Sequence, residues 1–452
     1  MVEKKILGSV TLETPCGALR GNEREICFEF LGVPYARAGR FEYAAAVERW
    51  DGVLDATRPG LACPQNRAWH EHQENPTRRF YKREFREGSV FSYGEDCLNL
   101  NIFTPKGVEN CPVVIFIHGG GFDSGINSED PFDGAGLAAR GIVTVFINYR
   151  VGPLGWLTHE EIQKRYGRDG NFGLDDQLTA IRWVKKNIAA FGGDGDNITL
   201  LGQSAGAISI QYHSLNRAND GLFRHAAMMS GGGMFPRFAL PRRAEDTRGY
   251  WLEYMALAGC RSLDELKAAS LDTLFDAVEE IRKRRRDNSY NAMPVIDGLM
   301  IPAPIDEMIG TPLPIDYMIG YTNNDLYAPL MAFIGNRFAK ANGAFVYFFD
   351  LDAPGDGSAA FHSCDLRYMF QTLSGSRRPY GARDYEAAAQ LAQYTANFAR
   401  TGDPNGEGLP EWKRASKGRA RVLRIAPEGT AMGRADYVKM TRNLLIKGEP
   451  KA

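Results

Sequence analysis

The sequence carries a serine between glycines, at a spacing suited to nucleophilic chemistry, in residues 202–206 (GQSAG). An apolar run at 198–201 precedes it, and a segment rich in Ala and Ile follows. This order predicts a strand, a tight turn and a helix, with Ser204 at the apex. Glycines suit such a turn because larger side chains two positions either side of the serine would collide. We therefore expect Ser204 to be a nucleophile, with the amide of Ala205 facing the group it attacks.

A serine hydroxyl needs a base to remove its proton, and an acid to hold that base in one tautomer. In a parallel α/β sheet these groups occur along the chain in the order Ser, Asp or Glu, His. His213 lies in the helix that starts at Ser204, and His225 begins the next predicted strand, which leaves no room for an intervening acid. His362 follows a predicted strand ending at Asp350, so we expect His362 to be the base.

Several carboxylates could orient that base. Asp325 follows the predicted strand 316–321 after a short loop and is preferred on spacing. Asp350 and Asp352 end the strand before His362, and Asp297 is a third candidate. The residues alone leave these alternatives open.

A glycine-rich segment, HGGGF at 118–122, follows the apolar run 113–117. Acyl transfer builds negative charge on a carbonyl oxygen, and preorganised backbone N–H groups stabilise that charge. We expect the amides of Gly120, Gly121 and Ala205 to form this oxyanion hole. Three glycines are also typical of a flexible turn, but their coincidence with the serine turn favours the donor role.

The surrounding pattern predicts an α/β fold built on a mostly parallel sheet. Apolar runs at 113–117 and 142–147, with a helix-length segment at 131–140 between them, predict a βαβ crossover. Residues 8–32 alternate as antiparallel edge strands, residues 30–65 read as a long loop, and 66–94 as a solvated loop at the rim of the site. Further strands are predicted at 198–201, 225–229, 316–321, 344–350 and 422–425, and helices at 171–191, within 241–288 and at 385–400. The basic run 282–286 is expected to be a solvated helix end.

Composition limits the function classes. The 452 residues carry 54 basic and 55 acidic side chains, so neither nucleic acid nor an anionic membrane is expected as a partner. No apolar stretch is long enough to span a membrane, and the N-terminal residues do not resemble a signal peptide, so we expect a cytoplasmic protein. The seven cysteines are expected to be thiols, and no metal site or cofactor is predicted. We expect a single domain over 1–452, with a helical insertion at about 236–293 forming part of the pocket.

Ordered blocks along nearly the whole chain resemble the type-B carboxylesterase family, which includes the cholinesterases. They are FLGVPYA (30–36), Arg40-Phe41, ACPQ (62–65), EDCLNLNI (95–102), HGGGF (118–122), NYR (148–150), NFGLDDQ (171–177), WVKKNIAAFGGD (183–194), GQSAGA (202–207), FARTGDPN (398–405) and LPEW (409–412). The resemblance implies an α/β-hydrolase fold and a triad of Ser204, His362 and an acid. Asp325 falls at the acid position, where the family usually has Glu.

The resemblance also implies roles for residues around the triad. Ser230 resembles a serine that supports the triad, and the pairs Arg40 with Glu95 and Arg150 with Asp176 resemble structural ion pairs. Cys63 and Cys97 match a disulfide pair of secreted members. A departure is Gln203, which stands where Glu is common and so removes a charge beside the nucleophile.

These observations predict a serine carboxylesterase acting on small-molecule esters. Aromatic residues at the expected rim, Phe80, Tyr81, Phe85 and Phe122, favour an apolar or aryl ester. The alternative is a non-catalytic interaction protein of the same family, but members of that kind characteristically lack the serine or the histidine, and both are present here.

Overall fold

A computed structural model describes residues 5–65, 76–232, 240–285, 292–325, 343–415 and 421–434. Within these ranges, thirteen strands form one sheet in the order β1-β2-β3-β7-β9-β8-β10-β11-β14-β15-β16-β17, with β6 paired to β2. The strands of this sheet are β1 Gly8–Thr14, β2 Gly17–Glu23, β3 Cys27–Pro34, β6 Val53–Asp55, β7 Asn99–Pro105, β8 Cys111–Ile117, β9 Val143–Ile147, β10 Gly193–Gln203, β11 His225–Met229, β14 Asp316–Thr322, β15 Ala344–Phe349, β16 Arg421–Ala426 and β17 Gly429–Arg434. Short pairs are formed by β4 Ala36–Arg37 with β5 Ala45–Ala46, and by β12 Arg242–Arg243 with β13 Val295–Ile296.

Helices lie between and beside these strands. They are α1 Pro76–Arg86, α2 Ala135–Ala138, α3 Gly152–Trp156, α4 Glu160–Tyr166, α5 Phe172–Asn187, α6 Ala205–Leu215, α7 Ala244–Leu257, α8 Leu263–Ala268, α9 Leu271–Arg284, α10 Ile305–Met308, α11 Asp365–Met369 and α12 Ala382–Thr401. No helix in the described ranges is both long and apolar enough to cross a membrane.

The predicted mostly parallel sheet is confirmed. From β9 through β8, β10, β11, β14 and β15 to β16 every neighbouring pair is parallel, whereas β1, β2, β3, β7 and β17 pair in the antiparallel sense. The βαβ crossover between β8 and β9 is present, but its helix α2 is shorter than the predicted 131–140. Gly134 lies immediately before α2 and Gly141, with φ 72°, lies shortly after it; both favour a short helix because glycine is a poor helix former.

The sheet buries apolar side chains on both faces. Along β8, Val113, Ile115 and Ile117 belong to one core, and Val114 and Phe116 belong to the other. This alternation follows from the two-residue period of a strand. Helices α5 to α9 contribute to the first core, while α2, α11 and α12 contribute to the second. The fully apolar strands predicted from the sequence are therefore explained by helices on both faces.

The prediction of a loop over 66–94 is wrong in part, because residues 76–86 form α1. Phe80 of this helix is buried, and its ring packs edge-to-face on Phe361 at 4.8 Å between centroids. The contact with Phe361 thus supports helix α1. The sequence did not indicate this helix because its many basic residues obscure the helical spacing of its apolar residues. Residues 66–75 of that prediction lie outside the described ranges.

The sheet brings the predicted reactive residues to one edge. Ser204 follows β10, Asp325 follows β14, and His362 lies in the connection after β15. Strands β10, β11, β14 and β15 are successive parallel neighbours, so their carboxyl ends meet at the same edge.

Candidate active site

Ser204 occupies the predicted turn between β10 and α6. Its backbone has φ 55° and ψ −121°, a conformation that non-glycine residues rarely adopt and that is common at functional sites. Gly206, two residues after Ser204, is required by close packing, since a Cβ at this position would lie 2.0 Å from the carbonyl oxygen of Ile117. The Ser204 amide also donates to the carbonyl of Met229 at 2.9 Å, which fixes the turn against β11.

His362 and Asp325 are in contact. The Nδ1 atom of His362 lies 3.2 Å from Oδ1 of Asp325; the carboxylate side chain is fully buried and the imidazole is 23% exposed. Burial of the ring lowers the pKa of His362, but the negative charges of Asp325 and Asp365 outweigh it, so that the pKa is raised above its ordinary value. The pair is therefore arranged as a base with an acid that orients it.

Two asparagines that the sequence analysis did not single out join the acid and base loops. The Asn324 amide donates to the carbonyl of Ala360 at 3.0 Å, and the Ala360 amide donates to Oδ1 of Asn323 at 3.0 Å. Asn323 Nδ2 also donates to Asp350 and Asp352, at 2.9 and 2.6 Å. These contacts hold the end of β14 beside the His362 loop, and nothing in the local sequence pattern distinguishes them from ordinary loop residues.

The alternative acids have structural contacts instead. Asp350 bonds Nη2 and Nε of Arg424, at 2.6 and 2.9 Å, which ties β15 to β16. Asp297 accepts the backbone amides of residues 299, 300 and 301 at 2.8–3.1 Å and so stabilises a turn. Asp325 is thus the acid that the structure brings to His362.

Gln203 reaches the other nitrogen of the imidazole. Its Nε2 atom lies 3.1 Å from Nε2 of His362, and the Gln203 residue is 3% exposed. The sequence marked this position as a departure in charge, but it did not predict the contact.

The glycine loop lies directly against Ser204. A Cβ on Gly119 would be 2.9 Å from Cβ of Ser204, and one on Gly120, whose φ is 109°, would be 2.2 Å from the carbonyl oxygen of Ser124. Tyr149 donates to the carbonyl of His118 at 2.8 Å and its ring stacks on the His118 ring at 4.4 Å, which supports the start of the loop. The predicted donors Gly120 and Gly121 belong to this loop, and the third, Ala205, is the first residue of α6.

A second buried carboxylate, which the sequence analysis missed, lies close to the pair. Asp365 is fully buried at the start of α11 and accepts a hydrogen bond from the Tyr347 hydroxyl at 2.7 Å. Burial, together with the charge of Asp325, raises the pKa of Asp365 to about 6, against the lowering effects of Tyr347 and His362. Its position three residues after His362 is the one sequence signal that could have found it.

The remaining predicted supporting residues lie near the site or in the core. Ser230 is fully buried and its amide donates to the carbonyl of Gly320 at 2.8 Å; among the described residues its hydroxyl has no hydrogen-bond partner. Cys63 and Cys97 are buried free thiols. The predicted ion pairs are present, with Arg40 to Glu95 at 2.5 Å and Arg150 to Asp176 at 2.7 Å.

The aromatic rim differs from the prediction at two residues, since both Phe80 and Phe122 are buried. Phe122 is fully buried against Trp156, with ring centroids 5.2 Å apart, so it belongs to the core. On α1, the Tyr81 hydroxyl donates to the carbonyl of His362 at 3.3 Å, and Phe85 packs on Tyr81.

A largely parallel sheet covered on both faces, with a serine on a strained turn after a central strand, defines the α/β-hydrolase fold. Solved structures agree: the chain matches a thermophilic PNB esterase with a TM-score of 0.81 and 24% identity, and a PNB esterase with a TM-score of 0.79 and 25% identity. Both matches cover 96% of this chain and 99% of the other.

Sequence comparisons identify the family to which the chain belongs. Residues 8–341 and 326–443 match the model of the carboxylesterase family. The chain is 33% identical to the para-nitrobenzyl esterase of Bacillus subtilis, over 96% of this chain and 99% of that protein. It is 29% identical to carboxylesterase 5A of Canis lupus familiaris, over 85% and 79% of the two chains. The chain belongs to the carboxylesterase family and is a carboxylic ester hydrolase.

Proposed function

We propose that the protein hydrolyses small-molecule carboxylic esters through Ser204, His362 and Asp325. The observation that carries this proposal is the 3.2 Å contact between His362 Nδ1 and Asp325 Oδ1, at the sheet edge where Ser204 sits on its turn. A carboxylate at Nδ1 keeps the proton on that atom, so Nε2 offers its lone pair to the serine hydroxyl.

The reaction follows from these positions. The Ser204 oxygen attacks the ester carbonyl carbon while Nε2 of His362 takes the hydroxyl proton. The carbonyl oxygen becomes an oxyanion, which the amides of Gly120, Gly121 and Ala205 stabilise. The intermediate collapses, the C–O bond to the alcohol breaks, and His362 returns the proton to the leaving alkoxide. Water, deprotonated by His362, then attacks the acyl-enzyme carbonyl carbon. The bond from that carbon to the Ser204 oxygen breaks, His362 returns the proton to this oxygen, and the acid is released.

We propose an apolar or aryl ester as the substrate class. The support is the aromatic group on α1, where Phe80 and Tyr81 pack on Phe361, the residue before His362, and Phe85 packs on Tyr81. Relatives described as para-nitrobenzyl esterase and carboxylesterase agree with an ester of this kind. A series of p-nitrophenyl esters of increasing acyl length, with phenyl and benzyl esters beside it, tests the class: turnover that favours small polar acyl groups would overturn it.

The test of the mechanism is Ser204→Ala with a p-nitrophenyl short-chain ester. We expect turnover to fall by about 10⁴-fold or more, because the nucleophile is removed. Ser209→Ala is the matched control: this serine lies in the same helix, and its hydroxyl bonds the carbonyl of Ala205 and the amide of Gln177.

Labelling gives a second readout of the same proposal. An organophosphate probe should add its mass to the peptide carrying Ser204 in the wild type and leave Ser204→Ala unlabelled. Full ester turnover by Ser204→Ala would refute the mechanism. A folded wild type that neither turns over esters nor takes the label would support the alternative of a non-catalytic interaction protein.

A further inference from the structure

The two nitrogens of His362 face different partners. Nδ1 lies 3.2 Å from the Asp325 carboxylate, and Nε2 lies 3.1 Å from the side-chain nitrogen of Gln203. Gln203 is the last residue of β10 and immediately precedes Ser204, so the residue that contacts the base and the proposed nucleophile are neighbours in the chain.

The proton positions follow from the Asp325 contact. A carboxylate only accepts, so Nδ1 carries the hydrogen, and in the neutral ring Nε2 is then an acceptor. A side-chain amide meets an acceptor with its N–H group, which is the orientation of Gln203 in the structure. The buried pair of Gln177 and His213 shows the opposite arrangement, with the glutamine oxygen 3.0 Å from Nε2.

We propose that Gln203 is a positioning residue that donates its amide N–H to Nε2 of His362 in the resting state, and so holds the base neutral until the Ser204 hydroxyl takes that lone pair. This proposal rests on the proposed function, since it concerns the base of that reaction. A hydrogen bond donated to the neutral form opposes protonation of the ring. Glutamate at this position would do the reverse, because its carboxylate would accept from a protonated Nε2 and stabilise the imidazolium.

Other ionisable groups also lie around the His362 ring and affect its pKa. Asp325 after β14 and Asp365 at the start of α11 are acidic, and both raise the pKa of His362. From α1, the Tyr81 hydroxyl bonds the His362 carbonyl; burial, followed by the charge of Asp325, raises the pKa of Tyr81, so it stays neutral. Gln203 thus adds a neutral donor to a ring that two carboxylates already bias toward its charged form.

The test measures the pKa of His362 in two ways, by NMR titration of its imidazole and by the acid limb of kcat/KM for a p-nitrophenyl ester. Gln203→Glu is expected to raise both values by roughly 1 unit or more. Gln203→Met, which fills similar space and lacks the donor, is expected to raise both by about half a unit. Gln163→Glu, which adds the same charge at an exposed position of α4, should leave both values unchanged.

The outcomes separate this proposal from a structural role and from the proposed function. If Gln203→Glu and Gln203→Met lower kcat alike while the His362 pKa stays at its wild-type value, the proposal is overturned. If the glutamate variant does not fold, an unchanged pKa in Gln203→Met overturns it as well. The NMR titration is repeated in the Ser204→Ala background, where it reports the Gln203 contact whether or not the protein turns over esters.

Discussion

At the scale of single residues, the charge state of His362 sets when the site can work. In the proposed mechanism the ring must be neutral to take the proton of Ser204, yet Asp325 and Asp365 raise the pKa of His362 above its ordinary value. We therefore expect activity to be lost as the pH falls through that raised pKa and to be retained above it.

This gives a prediction for the pH profile. We expect the acid limb of kcat/KM to have its midpoint above about 6.5, the ordinary value for histidine. Asp325→Asn should move the midpoint down, because the carboxylate charge is removed, and should also slow the reaction by about 10³–10⁴-fold through loss of the correct tautomer. A wild-type midpoint below the ordinary histidine value would contradict the electrostatic account.

The sequence predicted the placement of Ser204, Asp325 and His362 at one sheet edge more fully than the contacts around them, for a physical reason. Ser204 and His362 follow from chain order, because a parallel sheet fixes which strand ends are neighbours. Asn323, Asp365 and the Gln203 contact depend on which way side chains turn inside the site, and that is decided by packing between loops distant in sequence. Spacing in the sequence could rank Asp325 above Asp350 as the acid. The structure adds that Asp350 is bonded to Arg424, a contact that the sequence did not predict.

At the scale of elements, helix α9 is tied to the glycine loop. Arg282 Nη2 donates to Oδ2 of Asp123 at 2.9 Å, and Asp123 immediately follows the HGGGF segment. The Asp123 side chain is 2% exposed and that of Arg282 is 27% exposed. The sequence predicted a solvated helix end for this basic run; Arg282 instead makes a largely buried ion pair, while Arg284 pairs with Glu280 near the surface.

We predict that Arg282→Met destabilises the protein by about 1–3 kcal/mol, because Asp123 is left as a buried charge without its cation. The same variant should lower kcat more than it changes KM, since the displaced loop carries the proposed oxyanion donors. Chemical denaturation and steady-state kinetics measure the two effects. Arg284→Met is the control and should match the wild type; equal behaviour of the two variants would refute the link between α9 and the loop.

At the scale of the whole molecule, a few buried arginines join segments far apart in the chain. Arg150 after β9 bonds both oxygens of Asp176 on α5, at 2.7 and 2.8 Å, and donates to the carbonyls of Gly39 and Glu42. One guanidinium thus connects the sheet, a helix and an N-terminal loop.

We predict that Arg150→Lys lowers the free energy of unfolding by about 2–4 kcal/mol, because lysine cannot reproduce the bidentate bond or reach both carbonyls. Arg20→Lys is the matched control, as Arg20 pairs with Asp55 where both side chains are more than half exposed, and its change should stay within about 0.5 kcal/mol. Denaturant titration of both variants measures the difference, and similar values for the two would contradict the structural role assigned to Arg150.

The order of strands across the sheet also bears on how the protein is made. Strand β10 lies between β8 and β11, so the serine turn can be assembled once a ribosome has released residues through 229. Strand β14 begins at Asp316 and His362 lies further on still, so both are synthesised well after the serine turn. The proposed nucleophile is therefore synthesised long before its proposed base, which is added in the last third of translation.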